Sequence, residues 1–211
     1  MAENVMKTGT TTLGIVCKDG IVLAADMRAT AGNLIASKDT EKIAQLTDSI
    51  AVTMAGTASD GQMLIRLTKA ELKIKAIRNN LDSSVREAAN LMSRMVYQNI
   101  RRPSMIPGVS HFVMGGHDET GAYLFDIFPD GTISECKQYI SSGSGSVMAY
   151  GVLETLYKDK MTLEEGVKLA KQCINAAIAR DSASGNGAEI YTITKDGAKK
   201  VLHQEIEYKI N

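Results

Sequence analysis

The sequence lacks an excess of charge of either sign and any long apolar run, and each absence excludes a class of protein. The 24 Lys and Arg residues balance 24 Asp and Glu residues, so no net field would draw the chain to nucleic acid or to an anionic membrane. No window approaches the ~20 uninterrupted apolar residues of a membrane-spanning helix. The opening MAENVMKTG carries Glu3 and no apolar stretch long enough for a secretion signal. We therefore expect a cytosolic protein with neither a nucleic acid nor a membrane as partner.

Cysteine and histidine are scarce, and their spacing fits no metal site. Cys17, Cys136 and Cys173 are odd in number and far apart, with neither CxxC spacing nor an even disulfide framework. We expect them to be free thiols in a reducing compartment. The three histidines form no HExxH or similar pattern, so we expect them to be structural or solvent-facing.

The usual nucleotide-binding and nucleophile motifs are also absent. Gly143-Ser144-Gly145 lacks the third glycine of GxGxxG, MAGTASDG lacks the motif as well, and GxxxxGK[ST] occurs nowhere. The chain has no GxSxG elbow and no cysteine with a plausible histidine nearby. These glycines are therefore interpreted as residues that ease tight turns.

Hydrophobic periodicity predicts two β-hairpins early in the chain. TTTLGIVC and IVLAAD flank Lys18-Asp19-Gly20, whose Asp-Gly pair favours a tight turn. KIAQL and SIAVTMAG flank a Thr47-Asp48-Ser49 turn. Four early strands are predicted.

A pair of helices is predicted next. Apolar residues recur three to four apart over residues 59–79, which indicates a helix with one apolar face. Ser84 and Glu87 have the spacing of a capping box, and the periodicity continues from there until Pro103.

The second half repeats the order of strands followed by helices. Alternating strands are predicted in HFVMGG, AYLFDIF and TISECKQYI. A third helix is predicted over VMAYGVLETLY, and Thr162 with Glu165 caps a fourth that runs to about Arg180. The last strands are EIYTIT and KKVLHQ. Two helix pairs separated by antiparallel strands predict an α+β fold, a four-layer αββα sandwich of two antiparallel sheets flanked by helix pairs.

The stretch KTGTTTLG raises the possibility of a threonine nucleophile. A Thr hydroxyl is weak, but it can be activated by the α-amino group of the same residue when that residue is the first of its chain. The reference pKa of this amine, about 7.7–8.0, suits a base near neutral pH. Thr10 would have to be freed by cleavage after Gly9, and a residue without Cβ allows the bent backbone that this attack needs.

GTTTLGIVCKDGIVLAADMRAT resembles the start of proteasome β subunits, especially the archaeal kind with a short propeptide. The resemblance continues in order through TEKI, MAGTASDG, SSGSGSVMAYGVLE and ARDSASGNG, along nearly the whole chain. It implies the αββα fold of N-terminal nucleophile hydrolases. It also implies that residues 1–9 are a propeptide removed by self-cleavage and that residues 10–211 are a single catalytic domain.

The resemblance implies catalytic roles at particular positions. Thr10 matches the nucleophile, Lys42 the cation that lowers the proton affinity of its hydroxyl and amine, and Asp26 the acid that pairs with this lysine. Gly56 matches the residue whose backbone N–H stabilises the oxyanion. Arg28 matches a supporting position close to the lysine and the acid.

Further matches concern the terminal amine and the substrate. The groups that orient the amine and its water are matched by Ser144, Asp181 and Ser184. The pocket for the substrate side chain before the cut is matched by uncharged residues, namely Ala29, Thr40, Ala44, Met54 and Ala58. A pocket of this kind favours apolar or aromatic side chains, a chymotrypsin-like preference, since a charge would lose its hydration there. Thr30 and Ala58 match positions that hold the substrate backbone as an added strand.

The resemblance implies a threonine endopeptidase without metal or cofactor. The implied partners are proteasome α subunits, other β subunits in heptameric rings, an ATPase ring that feeds the chamber, and unfolded protein substrates. Two alternatives remain open at this point: a related N-terminal nucleophile hydrolase with a different substrate or ATPase, and a structural ring subunit that never matures.

Overall fold

The computed structural model describes residues 9–206. Of the expected propeptide, residues 1–8 lie outside the described residues, as do residues 207–211 of the expected domain. In chain order the strands are β1 (Thr12–Cys17), β2 (Gly20–Asp26), β3 (Ala29–Ala31), β4 (Leu34–Ser37), β5 (Ile43–Thr47), β6 (Ile50–Gly56), β7 (Ser110–Asp118), β8 (Gly121–Ile127), β9 (Ile133–Cys136), β10 (Tyr139–Ser142), β11 (Gly187–Thr194) and β12 (Gly197–Glu205). The helices are α1 (Ala58–Asn79), α2 (Val85–Ile100), α3 (Ser146–Leu156) and α4 (Leu163–Arg180).

Within residues 9–206, two five-stranded antiparallel sheets lie at the centre of the fold. Sheet I has the order β10-β1-β2-β11-β12, and sheet II has the order β5-β6-β7-β8-β9. One apolar layer lies between the two sheets and includes Leu23, Val113 and Ile193. A second layer joins sheet II to α1 and α2, and a third joins sheet I to α3 and α4. The predicted αββα sandwich is confirmed.

The predicted helix starts are also confirmed. Ser84 and Thr162 each accept a hydrogen bond from the backbone N–H of the glutamate three positions later, and the carboxylate of that glutamate accepts one from the backbone N–H of the cap residue. Each box satisfies two of the backbone donors that a helix start leaves without partners. The observed bounds of the helices lie close to the predicted ones, with α3 running one residue earlier at each end than VMAYGVLETLY.

Two features of the strands differ from the prediction. Residues 29–37 form an additional two-stranded ribbon, β3 and β4, in which Leu34 is 71% exposed. This ribbon has no buried face, so its residues do not show the apolar alternation used to find strands. TISECKQYI, predicted as one strand, is divided: Ile133 pairs with Ile127 of sheet II, whereas Tyr139 pairs with Ile15 of sheet I. The chain changes partners at residues 137–138 without a break in its alternation.

In the part of the chain from residue 9 to residue 206, no helix is long and apolar enough to cross a membrane.

Candidate active site

Thr10 lies just before β1, at one end of sheet I. Strand β1 is flanked by β10 and β2, with Thr12 opposite Ser142 on one side and Ala25 on the other. This pairing brings the start of the chain beside the end of β2 and the turn after β10. Thr10 is 7% exposed. Its hydroxyl donates to the Gly9 carbonyl oxygen at 2.6 Å, so the hydroxyl lies against the peptide bond that self-cleavage would break.

Asp26, the last residue of β2, is the buried acceptor around which the site is built. It is 0% exposed and accepts four hydrogen bonds, the full capacity of a carboxylate. Oδ1 accepts from the backbone N–H of Thr11 at 2.9 Å and from Lys42 Nζ at 2.6 Å. Oδ2 accepts from the backbone N–H groups of Arg28 at 3.0 Å and of Gly185 at 2.9 Å. One side chain therefore joins four separate segments.

Lys42 is a buried cation held by this carboxylate. The residue is 4% exposed, and its Nζ forms the ion pair with Asp26. Burial lowers the pKa of Lys42 below its ordinary 10.5, because the charged form loses its hydration, while the charge of Asp26 and its hydrogen bond act in the opposite direction. An ammonium group with a lowered pKa and a fixed position can polarise a neighbouring hydroxyl.

A line of hydroxyl groups runs along the other side of Thr10. Its backbone N–H donates to Ser144 Oγ at 3.2 Å, and Ser144 Oγ donates to Asp181 Oδ2 at 2.6 Å. Ser184 Oγ donates to the same oxygen at 2.6 Å and lies 2.7 Å from Thr11 Oγ1. Because the Ser184 proton is already used, the Thr11 hydroxyl is the donor in this last contact. Asp181 is the C-cap residue that follows α4, and its Oδ2 accepts from both serines.

The turn at residues 143–145 brings Ser144 to Thr10. Gly143 has φ +90°, and a Cβ at this residue would lie 2.0 Å from the Thr10 carbonyl oxygen. Gly145 donates its N–H to the same oxygen at 3.3 Å. Both the backbone conformation and the close approach require glycine at residue 143. The interpretation of this motif as a turn rather than a phosphate-binding loop agrees with these contacts.

Gly9 is enclosed on the other side of the peptide bond. A Cβ at this residue would lie 1.8 Å from the Ala183 Cβ and 3.0 Å from Ser144 Oγ. The Gly9 N–H donates to Thr30 Oγ1 at 3.1 Å. A steric reason for glycine thus joins the conformational reason expected from the sequence.

Arg28 holds the loop that carries Ser184. Its Nε donates to Asn186 Oδ1 at 2.7 Å, and its NH1 group donates to the Ser182 carbonyl oxygen at 2.8 Å. Asn186 has φ +65°, a conformation that asparagine tolerates better than most residues. The Arg28 side chain therefore contacts the loop of residues 182–186 rather than Thr10.

Gly56 lies at the end of β6, where its φ is +104° and a Cβ would lie 2.2 Å from the Val109 carbonyl oxygen. Within residues 9–206, no hydrogen bond joins Gly56 to Thr10.

The expected pocket residues are distributed over the elements around Lys42. Met54 N–H donates to the Lys42 carbonyl oxygen at 2.9 Å, and Thr40 N–H donates to the Met27 carbonyl oxygen at 2.9 Å. Ala44 is in β5 and packs against the cluster that contains Met54, which is 7% exposed. Ala29 is in β3 and Ala58 begins α1. None of these five side chains carries a charge.

Thr11 and Gly185 are site residues that sequence reasoning missed. Thr11 contacts both Asp26 and Ser184, and Gly185 contacts Asp26. The run of three threonines was a signal for Thr11, but its role depends on a residue 173 positions away. No local signal marks Gly185, since it contributes only its backbone N–H.

The cysteines are poor nucleophiles in this fold. Burial raises the pKa of both Cys17 and Cys173 to about 12, and burial raises that of Cys136 to about 11. Almost no thiolate is therefore present near neutral pH.

Among the described residues, two groups could offer metal ligands, and both include His203. One is Asp39, His203 and Glu205, all exposed, and the other is Glu41, Glu189 and His203. In the second group Lys200 Nζ lies 2.7 Å from Glu41 Oε1 and 2.9 Å from Glu189 Oε1. A cation is therefore already supplied there by the protein.

Comparison with known proteins identifies the relatives of this chain. Residues 6–193 match the family model described as proteasome subunit. The proteasome subunit beta of Methanocella paludicola is 45% identical over 199 residues, which cover 94% of this chain and 93% of the relative. That of Methanocaldococcus vulcanius is 41% identical over 94% of this chain and 87% of the relative. That of Methanococcus maripaludis strain C5 is 42% identical over 94% of this chain and 90% of the relative.

Proposed function

Because this chain belongs to the proteasome subunit family, we propose that it is the catalytic β subunit of a proteasome core, a threonine endopeptidase that degrades unfolded proteins to short peptides. Two observations carry this proposal: the Thr10 hydroxyl donates to the Gly9 carbonyl oxygen, and the carboxylate of the buried pair of Lys42 and Asp26 accepts the backbone N–H of the next residue, Thr11. Nucleophile, cation and acid are the three groups that the chemistry requires.

Self-cleavage would free the nucleophile. Thr10 Oγ1 attacks the Gly9 carbonyl carbon, the bond from this carbon to the Thr10 nitrogen breaks, and the hydroxyl proton passes to that nitrogen. Water then hydrolyses the resulting ester, which leaves a carboxylate on Gly9 and an amine on Thr10. Residues 1–9 are thus a propeptide, and residues 10–211 are the mature catalytic domain.

Peptide hydrolysis uses the same atoms. The Thr10 amine takes the hydroxyl proton as Oγ1 attacks the scissile carbonyl, and it then protonates the leaving amine. Lys42, held by Asp26, lowers the proton affinity of the nucleophile, and the Gly56 N–H stabilises the oxyanion, an interaction worth about 3 kcal/mol in comparable enzymes. The line of Ser144, Asp181 and Ser184 orients the amine and the water that hydrolyses the acyl-enzyme. This chemistry needs no metal or cofactor.

The uncharged pocket predicts which substrate side chain is preferred immediately before the cleaved bond. Its uncharged positions, from Ala29 on β3 to Met54 on β6, favour apolar or aromatic side chains, while Thr30 and Ala58 hold the substrate backbone. We expect a reporter peptide ending in Tyr to be cleaved faster than the matched peptide ending in Glu. Faster cleavage of the Glu peptide would refute the chymotrypsin-like assignment.

A cytoplasmic protease that cleaves many unfolded proteins must be kept apart from the other proteins of the cytoplasm. We propose that the chain assembles into heptameric β rings between rings of α subunits, and that an ATPase ring delivers unfolded proteins to the enclosed chamber. These partners rest on family membership. Activity only in the presence of α subunits would distinguish this proposal from a related hydrolase that works without them.

The deciding experiment is the intact mass of this chain after co-expression with its α partner. We expect loss of residues 1–9 for the natural chain and for Thr10→Ser, which keeps a hydroxyl, but a full-length chain for Thr10→Ala. Peptide hydrolysis should appear only where the mass shows cleavage. A full-length natural chain in a correctly assembled particle would overturn the proposal in favour of a structural subunit.

A further inference from the structure

A buried carboxylate lies between the two sheets and has no part in the proposed chemistry. Glu189 is in β11, is 1% exposed, and stands opposite Ala25 of β2, one residue before Asp26. Its neighbours on the same face of β11, Tyr191 and Ile193, belong to the apolar layer between the sheets. A charge in such a place is costly unless it is paired, so it calls for a specific reason.

A β-bulge supplies the partner of Glu189. Along β12, Leu202 pairs with Ile190 but Lys200 pairs with Tyr191, so Val201 is the extra residue. The bulge turns Lys200 toward the face that carries Glu189, and its Nζ lies 2.9 Å from Glu189 Oε1. Bulges commonly redirect a side chain in this way. The Lys200 ammonium group also lies 5.7 Å from the centre of the Tyr191 ring.

The pair of Glu189 and Lys200 contacts both residues that flank Lys42. Lys200 Nζ donates to Glu41 Oε1 at 2.7 Å, immediately before Lys42. Glu189 Oε2 accepts the backbone N–H of Ile43 at 3.4 Å, immediately after it. The contacts cross from sheet I to the start of β5 in sheet II.

Lys42 needs such contacts because it lies outside regular structure. Residues 40–42 precede β5 and belong to no strand, and their backbone is held by two single hydrogen bonds, from Thr40 N–H to the Met27 carbonyl oxygen and from Met54 N–H to the Lys42 carbonyl oxygen. Misplacement of a catalytic group by about 1 Å can cost about 100-fold in rate. Besides these bonds and the pairing of Ile43 with Thr53 in sheet II, the position of the Lys42 ammonium group depends on the contacts that Glu41 and Ile43 make with sheet I.

We propose that Glu189 and Lys200 are positioning residues for Lys42: the ion pair fixes the segment of residues 41–43 to sheet I and so holds the Lys42 ammonium group beside Asp26 and Thr10. The inference rests on the proposed function, in which Lys42 acts on the nucleophile. Neither side chain touches the reacting atoms, so each acts only through Lys42.

The test uses the particle assembled with α subunits and carrying one of four substitutions. Lys200→Met removes the cation, Lys200→Arg keeps it, and Glu189→Gln keeps an acceptor for Ile43 without the charge. Lys199→Met is the matched control, because Lys199 precedes Lys200 on β12, is exposed, and makes no ion pair among residues 9–206. For each variant the burst of acyl-enzyme counts the competent sites, and kcat per competent site and KM are measured with one reporter peptide.

We expect Lys200→Met and Glu189→Gln to lower kcat per competent site about tenfold with little change in KM, since the nucleophile is affected and the substrate pocket is not. Lys200→Arg should recover most of the loss, and Lys199→Met should match the natural chain. A purely structural role would lower the number of competent sites and leave kcat per site unchanged. That result, or a natural kcat in both Lys200→Met and Glu189→Gln, would overturn the inference.

The outcomes also separate this inference from the proposed function. If the natural particle shows neither self-cleavage nor peptide hydrolysis, the proposed function fails and the positioning role falls with it. If the natural particle is active and the variants equal it, only the positioning role fails. Should Glu189→Gln not assemble, the comparison of Lys200→Met with Lys200→Arg decides, because Lys200 is one-third exposed and its loss is tolerated more easily.

Discussion

Replacement of Gly9 by alanine should block self-cleavage and leave the mature enzyme unaffected. The added Cβ would lie 1.8 Å from the Ala183 Cβ, whereas an ordinary contact between carbon atoms is about 3.5–4.0 Å. Residue 9 and Ala183 must therefore separate by roughly 1.7 Å or more, which would disturb the contact of the Thr10 hydroxyl with the Gly9 carbonyl oxygen at 2.6 Å. With a cost of about 100-fold for a 1 Å misplacement, cleavage should slow at least about 100-fold.

The assay is the intact mass of the subunit at intervals after assembly with α subunits. Ala183→Gly removes the atom in the closest contact, so the double variant Gly9→Ala, Ala183→Gly should regain part of the rate; the Ala183 Cα at 3.0 Å and Ser144 Oγ at 3.0 Å still limit it. A chain expressed with only an initiating Met before Thr10 tests the mature enzyme without residue 9. Processing of Gly9→Ala at the natural rate would refute the packing described for the cleavage site.

Three further predictions concern the groups around Thr10. Asp26→Asn keeps an oxygen that can accept from Lys42 but removes the charge that opposes the effect of burial, so the pKa of Lys42 should fall further. Peptide hydrolysis should then be lost at a lower pH on the alkaline side, and an unmoved alkaline limb of kcat/KM would contradict this. Gly143→Ala should abolish peptide hydrolysis, because its Cβ would lie 2.0 Å from the Thr10 carbonyl oxygen. The control Gly151→Ala in α3 should keep full activity, because nothing lies within 4 Å of its added Cβ. Thr11→Val should lower the free energy of unfolding by about 0.5–1.5 kcal/mol through loss of the hydrogen bond to Ser184. Thr12→Val should be neutral or stabilising, because the buried Thr12 hydroxyl has no hydrogen-bond partner among residues 9–206. Equal shifts of the melting temperature in the two variants would argue against this difference.

Local signals in the sequence were sufficient for the helices and the layers. A capping box is encoded within four residues, so Ser84 and Thr162 could be identified without knowledge of the fold. The apolar periodicity of helices and buried strands is equally local, and it led to the four-layer arrangement. The β3 and β4 ribbon lacked this signal because it is exposed, and the change of sheet at residues 137–138 leaves no mark in an alternating pattern.

The site, in contrast, is made of contacts between distant residues. Thr10 meets Ser144 across 134 positions, and Asp26 meets Gly185 across 159. No spacing rule could connect such residues, and their expected roles came from the resemblance to a family. The bulge that turns Lys200 inward is likewise a property of pairing between two strands, so the sequence of β12 alone does not reveal it.

The contacts around Asp26 explain how one site can serve both self-cleavage and peptide hydrolysis. The donors that hold its carboxylate are Lys42 and the backbone of Thr11, Arg28 and Gly185, and none of them is a bond that cleavage after Gly9 would break. Cleavage would remove the Gly9 carbonyl oxygen that the Thr10 hydroxyl contacts, and it would turn the Thr10 nitrogen from an amide that donates to Ser144 into an amine. Because Ser144 can either donate or accept, it can hold this nitrogen before and after the cut. The arrangement that would cut the chain is therefore already the one that would act on substrates. Cleavage would supply the Thr10 amine as the base, and the hydrogen bonds that hold Lys42 and Asp26 would remain.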